Sequence, residues 1–226
     1  LAGSACAHAL TRRGWTVRVV ERAAAPASGA SALPWGLLHP QMATDDALLA
    51  RLTRAGVAST HAAFARSVPT GEFDGQQITR GGGVFQMADA EATWTRWQSA
   101  IARLGLPPQY VEVLDQASAA QRVGMVPGHG GLWWPQGALV SPARWCPALL
   151  AGRAELLRGE VVQLKAGHEG WSALDPTGRV LATAPVVIVA AAIASPALLG
   201  MTRARVQTIR GRITFLDPAP FSSLQV

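Results

Sequence analysis

Small and apolar residues run from Leu1 to Ala7, continue at helical spacing to Leu10, and stop at Gly14. That pattern predicts a helix packed closely on a neighbour. Residues 16–22, with Val17, Val19 and Val20, predict a strand finishing on an acid, Glu21. Residues 25–40 are rich in Gly, Ser, Pro and Ala and predict a loop. Residues 45–68 carry Leu48, Leu49, Leu52, Val57, Ala62 and Phe64 as the apolar positions of an amphipathic helix. Residues 80–83 read as a turn, 84–87 as a short strand and 89–104 as a helix, with Pro107-Pro108 breaking any continuation. Residues 130–134 predict a strand entering a loop at Pro135-Gln136-Gly137, and residues 142–157 a helix with proline near its start. Residues 160–164 predict a strand. Residues 171–174 and 180–182 predict a hairpin around Asp175-Pro176-Thr177-Gly178, a favourable turn sequence. Residues 186–192 are wholly apolar, as in a strand inside a parallel sheet, and residues 205–215 alternate like an antiparallel strand.

The expected fold class is therefore α/β: strands of a nucleotide-binding parallel sheet, interrupted by an inserted helical and antiparallel region. The opening helix and strand have the form of the back half of a dinucleotide-binding βαβ unit. Gly3 stands where the last glycine of G-x-G-x-x-G would stand, and Glu21 follows 18 positions later, within the usual distance of about 20. The N–H groups and partial positive charge at a helix start suit a pyrophosphate, and an acid closing the second strand suits ribose hydroxyls. The first strand and the first two glycines are not in the sequence, so the chain is expected to be truncated at both ends. Half a fingerprint serves an NAD enzyme, a methyltransferase or an ordinary helix–strand pair equally well.

Composition narrows the class without choosing the chemistry. At 226 residues, with 49% hydrophobic and 15% charged residues, the chain has enough apolar content for a substantial core and is not a disordered one. The longest apolar stretch, residues 185–200, is short and broken by Ser195 and Pro196, which reads as a buried strand rather than a membrane span. Cys6 and Cys146 are far apart and lack metal-ligand spacing, so they read as buried thiols in a reducing cytosol, with no metal and no membrane expected. The net charge of +6 is carried almost wholly by arginine, Lys165 being the only lysine. Such a field would attract tRNA, or it is a solvated arginine surface.

The loop Gly29-Ala30-Ser31-Ala32-Leu33-Pro34-Trp35-Gly36-Leu37-Leu38-His39-Pro40-Gln41 resembles the GASGNPAGLLHP segment of the MnmC family, the FAD-dependent half of bifunctional tRNA 5-methylaminomethyl-2-thiouridine biosynthesis proteins. Asp45-Asp46, residues 51–56, Gly130-Gly131 through Pro142 and Arg210-Gly211-Arg212 resemble further family segments in the same order. The resemblance implies the D-amino-acid-oxidase-like fold. It implies FAD-binding segments at 1–45 and 141–200, an inserted substrate region at 46–140, and the start of a second substrate segment at 201–226. It places Gly3, Glu21, Arg22, Ser31, Gly36, Leu37, Val161, Ala190, Ala191 and Ala192 around the cofactor. Ser31 would bond a phosphate, Gly36-Leu37 would border the flavin ring, and the Val161 backbone would meet the adenine. Arg22 would approach the adenosine side. Ala32, Leu33, Trp35 and Ala192 depart from the residues that the family prefers there, Ala192 from a glycine.

The activity implied is oxidative removal of the carboxymethyl group from 5-carboxymethylaminomethyl-2-thiouridine at the tRNA wobble position, leaving 5-aminomethyl-2-thiouridine. A methyltransferase half of the same polypeptide, using S-adenosylmethionine, would then methylate the amine. His39, Arg210 and Arg212 are the catalytic-site candidates, the arginines because a guanidinium takes a carboxylate in two prongs. For His39, packing of its loop competes with proton transfer. His8 reads as packing, and His61, His129 and His168 have no partner pattern. The chain alone is expected to be inactive. The alternatives are a glycine- or sarcosine-oxidase-like enzyme of a free amino acid, and a non-catalytic domain that binds tRNA or a partner.

Overall fold

The computed structural model describes residues 1–67, 71, 74–168, 170–201, 203–204, 206–209 and 211. Along the chain these form α1 (Ala2–Thr11), β1 (Arg18–Glu21), β2 (Gly36–Leu38), α2 (Leu48–Ser67), α3 (Gly75–Ile78), β3 (Thr79–Gly81), β4 (Val84–Met87), α4 (Glu91–Leu104) and β5 (Glu112–Leu114). There follow α5 (Gln116–Val123), β6 (Gly131–Trp134), β7 (Ala138–Val140), α6 (Pro142–Leu150), β8 (Glu155–Arg158), β9 (Gln163–Gly167), β10 (Gly170–Leu174), β11 (Val180–Ala184) and α7 (Ser195–Leu198). Two compact units result: residues 1–34 with 142–211, and residues 35–141.

In the first unit, α1 lies against α6. The small residues on α1 permit this, with Ser4 and Ala7 buried, while α6 buries Trp145, Cys146, Leu149 and Leu150. β1 and β8 form a parallel pair in the register Arg18↔Glu155 to Glu21↔Arg158. The ladder is extended at both ends by Glu155 N–H donating to Val17 O at 3.1 Å and Gly159 N–H donating to Glu21 O at 3.0 Å. β9, β10 and β11 make an antiparallel meander. The Asp175 turn joins its last two strands: Asp175 Oδ1 accepts from the Thr177 N–H at 2.9 Å and the Arg179 N–H at 3.0 Å. That is the side-chain mimicry of a backbone turn which makes Asp favourable at this place.

In the second unit, β2–β7–β3 and β4–β6–β5 are three-stranded antiparallel sheets. Its core is Val84, Ile101, Val111, Leu132 and Trp134. Leu132 is fully buried; such a side chain contributes about 1.5–3 kcal/mol on leaving water.

Several expectations are corrected. The helix expected over 142–157 ends at Leu150. Pro147 removes one of its hydrogen bonds, and Gly152 turns the chain at a φ of +65°. Glu155–Arg158, helix formers by propensity, instead gain a ladder with β1. The strand expected over 160–164 starts at Gln163. The loop at 25–40 includes β2, and the turn at 80–83 begins within β3. Residues 186–191 form no strand: a ladder needs a neighbour about 4.8 Å away, and none of the described residues supplies one. Val186 and Ile188 are exposed. On α2, Val57 and Phe64 are buried as expected, but Leu48, Leu49 and Leu52 are exposed. Of residues 205–215, the described 206–209 form no strand and most of the others lie outside the described residues.

Candidate cofactor site

The site is built around the start of α1. A helix leaves its first N–H groups without internal acceptors, and α1 has no side-chain cap over them. Gly3 lies in this first turn, and a Cβ placed on it would stand 3.4 Å from the Ala190 Cβ, so α1 lies close to the 190 segment here. The 29–33 loop comes to the same place. Ala30–Ala32 form a single 3₁₀ turn, and Ser31 Oγ lies 2.9 Å from the Leu1 nitrogen. Among the described residues nothing accepts the Ser31 hydroxyl proton, which leaves it to donate outward. Ala143 N–H bonds to Leu33 O at 3.2 Å and ties the loop to α6.

Glu21 closes β1 and is half-buried. Its Oε1 accepts the Ala23 N–H at 2.9 Å, which fixes the carboxylate while leaving further lone pairs to accept hydroxyl protons. Val161 is half-buried just after the Gly159 N–H that bonds to Glu21 O. Arg22 is exposed and stands 3.9 Å from Glu160, both side chains more than half exposed, so the pair contributes little. Ala190, Ala191 and Ala192 are exposed and offer only backbone and methyl surface. Ala192 has a φ of +49°, in the left-handed region that favours glycine.

The first unit thus contains Gly3, Glu21, Ser31, Val161 and Ala190–192. Gly36, Leu37 and His39 belong to the second unit. Leu37 is 65% exposed on β2. The His39 Nδ1 lies 2.9 Å from Pro40 O; a carbonyl only accepts, so Nδ1 carries the proton. Its ring lies 6.1 Å from that of Trp134, which is a packing environment. Arg210 and Arg212 lie outside the described residues.

Two arrangements escaped the sequence reading. Arg54 binds Asp46 at 2.7 Å, which holds the Arg54 guanidinium above its usual pKa, while burial pushes the nearby Tyr110 phenol up. The Arg80 guanidinium stacks on Trp35, 4.7 Å from the ring centroid. The Trp35 departure was visible in the sequence; its partner, 45 positions away, carried no signal.

The donor set fits FAD. Free helix-start N–H groups and the Ser31 hydroxyl suit a pyrophosphate, a fixed carboxylate suits a ribose diol, and an uncrowded alanine surface suits a flat ring. Among the described residues, no three His, Cys, Asp or Glu side chains are placed to hold a metal, and no helix is long and apolar enough to cross a membrane. Cys6 and Cys146 are free thiols, Cys146 buried and Cys6 half-buried.

The family model described as FAD dependent oxidoreductase matches residues 1–226. The chain is 36% identical over 226 residues to the tRNA 5-methylaminomethyl-2-thiouridine biosynthesis bifunctional protein MnmC of Burkholderia multivorans, covering 98% of this chain and 34% of that protein. It is 36% identical over 223 residues to the protein of that name from Paraburkholderia phytofirmans, covering 96% and 33%. It therefore spans about a third of the length of these relatives. Among solved structures, glycine oxidase from Geobacillus kaustophilus matches with a TM-score of 0.69 and 20% identity, over 88% of this chain and 54% of that one. Iminodiacetate oxidase from Chelativorans sp. BNC1 matches with a TM-score of 0.65 and 18% identity, over 89% and 56%. The fold is that of these oxidases.

Proposed function

We propose, from the premise that this chain belongs to the FAD-dependent oxidoreductase family, that it forms the cofactor-binding part of an amine oxidase acting on tRNA. The reaction is removal of the carboxymethyl group from 5-carboxymethylaminomethyl-2-thiouridine at the wobble position, leaving 5-aminomethyl-2-thiouridine and glyoxylate. A methyltransferase domain of the same polypeptide, using S-adenosylmethionine, would take that amine onward. The observation that carries the reading is the match of the FAD dependent oxidoreductase model to residues 1–226, supported by an uncapped α1 start and a Glu21 carboxylate held by the Ala23 N–H in the same unit. Identity of 36% to MnmC proteins supports the tRNA substrate over a free amino acid.

Bound FAD would supply the two-electron acceptor for the carbon beside the amine nitrogen. The chain's own residues bind and orient. The first N–H groups of α1 and the Ser31 O–H would hold the pyrophosphate, and Glu21 would accept from the ribose hydroxyls. The Val161 backbone would meet the adenine edge, with Arg22 on the adenosine side. Ala190–Ala192 would offer the ring backbone and methyl surface. His39, with Nδ1–H spent on Pro40 O, packs its loop against Trp134. The substrate's amine must be neutral, and its carboxylate needs a cation, for which Arg210 and Arg212 are sequence candidates.

The test incubates the full gene product with tRNA carrying the modified uridine, and separately with free glycine and sarcosine. Glyoxylate and nucleoside composition are measured. Conversion of tRNA alone supports the reading. Turnover of the free amino acids alone replaces it with a small-molecule oxidase. A colourless protein that binds tRNA without converting it leaves a binding domain.

A further inference from the structure

Charge is divided unevenly between the two units. Residues 1–34 and 142–211 hold twelve Arg and Lys against five Asp and Glu, a net charge of +7. Residues 35–141 hold seven against eight, a net charge of −1. A compositional preference for arginine would load both units alike, so it does not account for the division. Within the first unit, part of this charge gathers at one end of the parallel strand pair. β1 and β8 start side by side, with Arg18 opposite Glu155. β1 is entered from α1 through residues 12–17 and β8 from α6 through residues 151–154, and α1 lies against α6. Both turns therefore come to the same end of the pair. They bring Arg12, Arg13, Arg18 and Arg153 there, and Glu155 is the one acid among residues 11–18 and 151–155. Arg18 binds that acid at 2.9 Å, with both side chains more than half exposed. Arg12 and Arg13 are exposed, and Arg13 Nη1 donates to Ala9 O at 2.8 Å, a neutral partner that steadies the side chain and leaves its charge. Trp15 follows in the same turn and is 51% exposed. Helix C-termini favour cations, which accounts for arginine at this place. It does not account for a large apolar ring left half in water among them. Cations that meet phosphates, beside an aromatic face on which a base can stack, are the two elements of single-stranded nucleic-acid recognition.

We infer that the end of the first unit carrying Arg12, Arg13, Trp15 and Arg18 docks RNA, the arginines meeting backbone phosphates and Trp15 stacking on an unpaired base. The inference rests on the proposed function, in which tRNA is the substrate, and adds the surface that receives it. α1 has ten residues, a length of about 15 Å, so its finish is well removed from its start, where the pyrophosphate is proposed. This surface therefore holds a part of the RNA other than the reacting uridine.

The experiment measures tRNA binding to the FAD-loaded full gene product by filter retention, over a range of salt of about 50 to 200 mM. Wild type is compared with the double variants Arg12→Gln/Arg13→Gln and Arg12→Lys/Arg13→Lys, with Trp15→Ala and Trp15→Phe, and with Arg96→Gln on α4 as a control from the other unit. Circular dichroism and FAD content check the fold. Loss of two phosphate contacts should lower the slope of log affinity against log salt by about 1.4–1.8, and the lysine pair should keep it. Trp15→Ala should weaken binding about 5- to 100-fold at an unchanged slope, and Trp15→Phe should recover part of the loss. Arg96→Gln should move neither quantity. A slope unmoved by the glutamine pair, an equal change in Arg96→Gln, or binding by Trp15→Ala within twofold of wild type overturns the inference. Unchanged tRNA binding with faster proteolysis of the variants would make the surface a contact within the protein and overturn it too. A wild-type product that retains no tRNA overturns the substrate reading and this inference together. Equal retention by wild type and all variants overturns only this inference.

Discussion

Ala192 offers a measurement in which one backbone angle is isolated. It has a φ of +49°, while its neighbour Ala191 has an ordinary φ of −93°. Both side chains are exposed, so neither methyl is held by a packed core. A left-handed backbone costs an L-residue about 1–2 kcal/mol through crowding of Cβ against the carbonyl, and glycine avoids that cost. Glycine also has greater freedom in the unfolded chain, which lowers stability by about 0.4–1 kcal/mol at either position. Ala191→Gly should therefore lower stability by about 0.4–1 kcal/mol, and Ala192→Gly should raise it by roughly 0.5–1 kcal/mol after the two effects are set against each other. The difference between the variants, about 1–2 kcal/mol, cancels the unfolded-state contribution and reports the strain itself. Urea unfolding followed by circular dichroism reads it, provided the slopes stay equal so that midpoints reflect stability. If Ala192→Gly destabilises as much as Ala191→Gly, the left-handed backbone at 192 is refuted.

Gly170 should not tolerate a side chain. Its φ is +118°, and an added Cβ would stand 2.5 Å from Ala184 O and 2.6 Å from the Pro185 Cα. Gly170→Ala should cost about 2–4 kcal/mol, read as a lowered urea midpoint; a change under about 0.5 kcal/mol would contradict the β10–β11 geometry. Acid should weaken two turns. The Ser118 N–H holds the Asp115 carboxyl below its usual range, and the Thr177 hydroxyl does the same first of all for Asp175. A depressed folded pKa stabilises fully above the unfolded value of about 3.9 and is lost as pH falls through the lower, folded one. The slope of stability against pH below about 4 should thus flatten in Asp115→Asn and Asp175→Asn, and an unchanged slope in both would count against these contacts.

What the sequence made legible was local. The hairpin at Asp175 was readable because one side chain organises its own turn. α1 and β1 were readable from small residues and alternating valines. Long-range pairing was not readable. Glu155-Leu156-Leu157-Arg158 has helical propensity, and only the ladder to β1 makes it a strand. An apolar run such as 186–192 reports a wish for burial without naming a neighbour. Leu48, Leu49 and Leu52 define a helix face in the same way, and they are exposed. At the candidate site, the spacing pointed to Glu21, which the structure places at the end of β1 with its carboxylate on the Ala23 N–H. The Arg80–Trp35 stack, between residues 45 positions apart, depends on tertiary placement.

The account turns on Glu21 holding the adenosine ribose of FAD. Titration of the full gene product with FAD, followed by flavin fluorescence, tests it directly when repeated with Glu21→Gln and with riboflavin 5′-phosphate, which lacks that ribose. Loss of a charge-assisted acceptor is worth about 1.5–3 kcal/mol, so Glu21→Gln should weaken FAD about 10- to 100-fold and leave riboflavin 5′-phosphate unchanged. Equal FAD affinity in wild type and Glu21→Gln would contradict the placement of the cofactor across the start of α1.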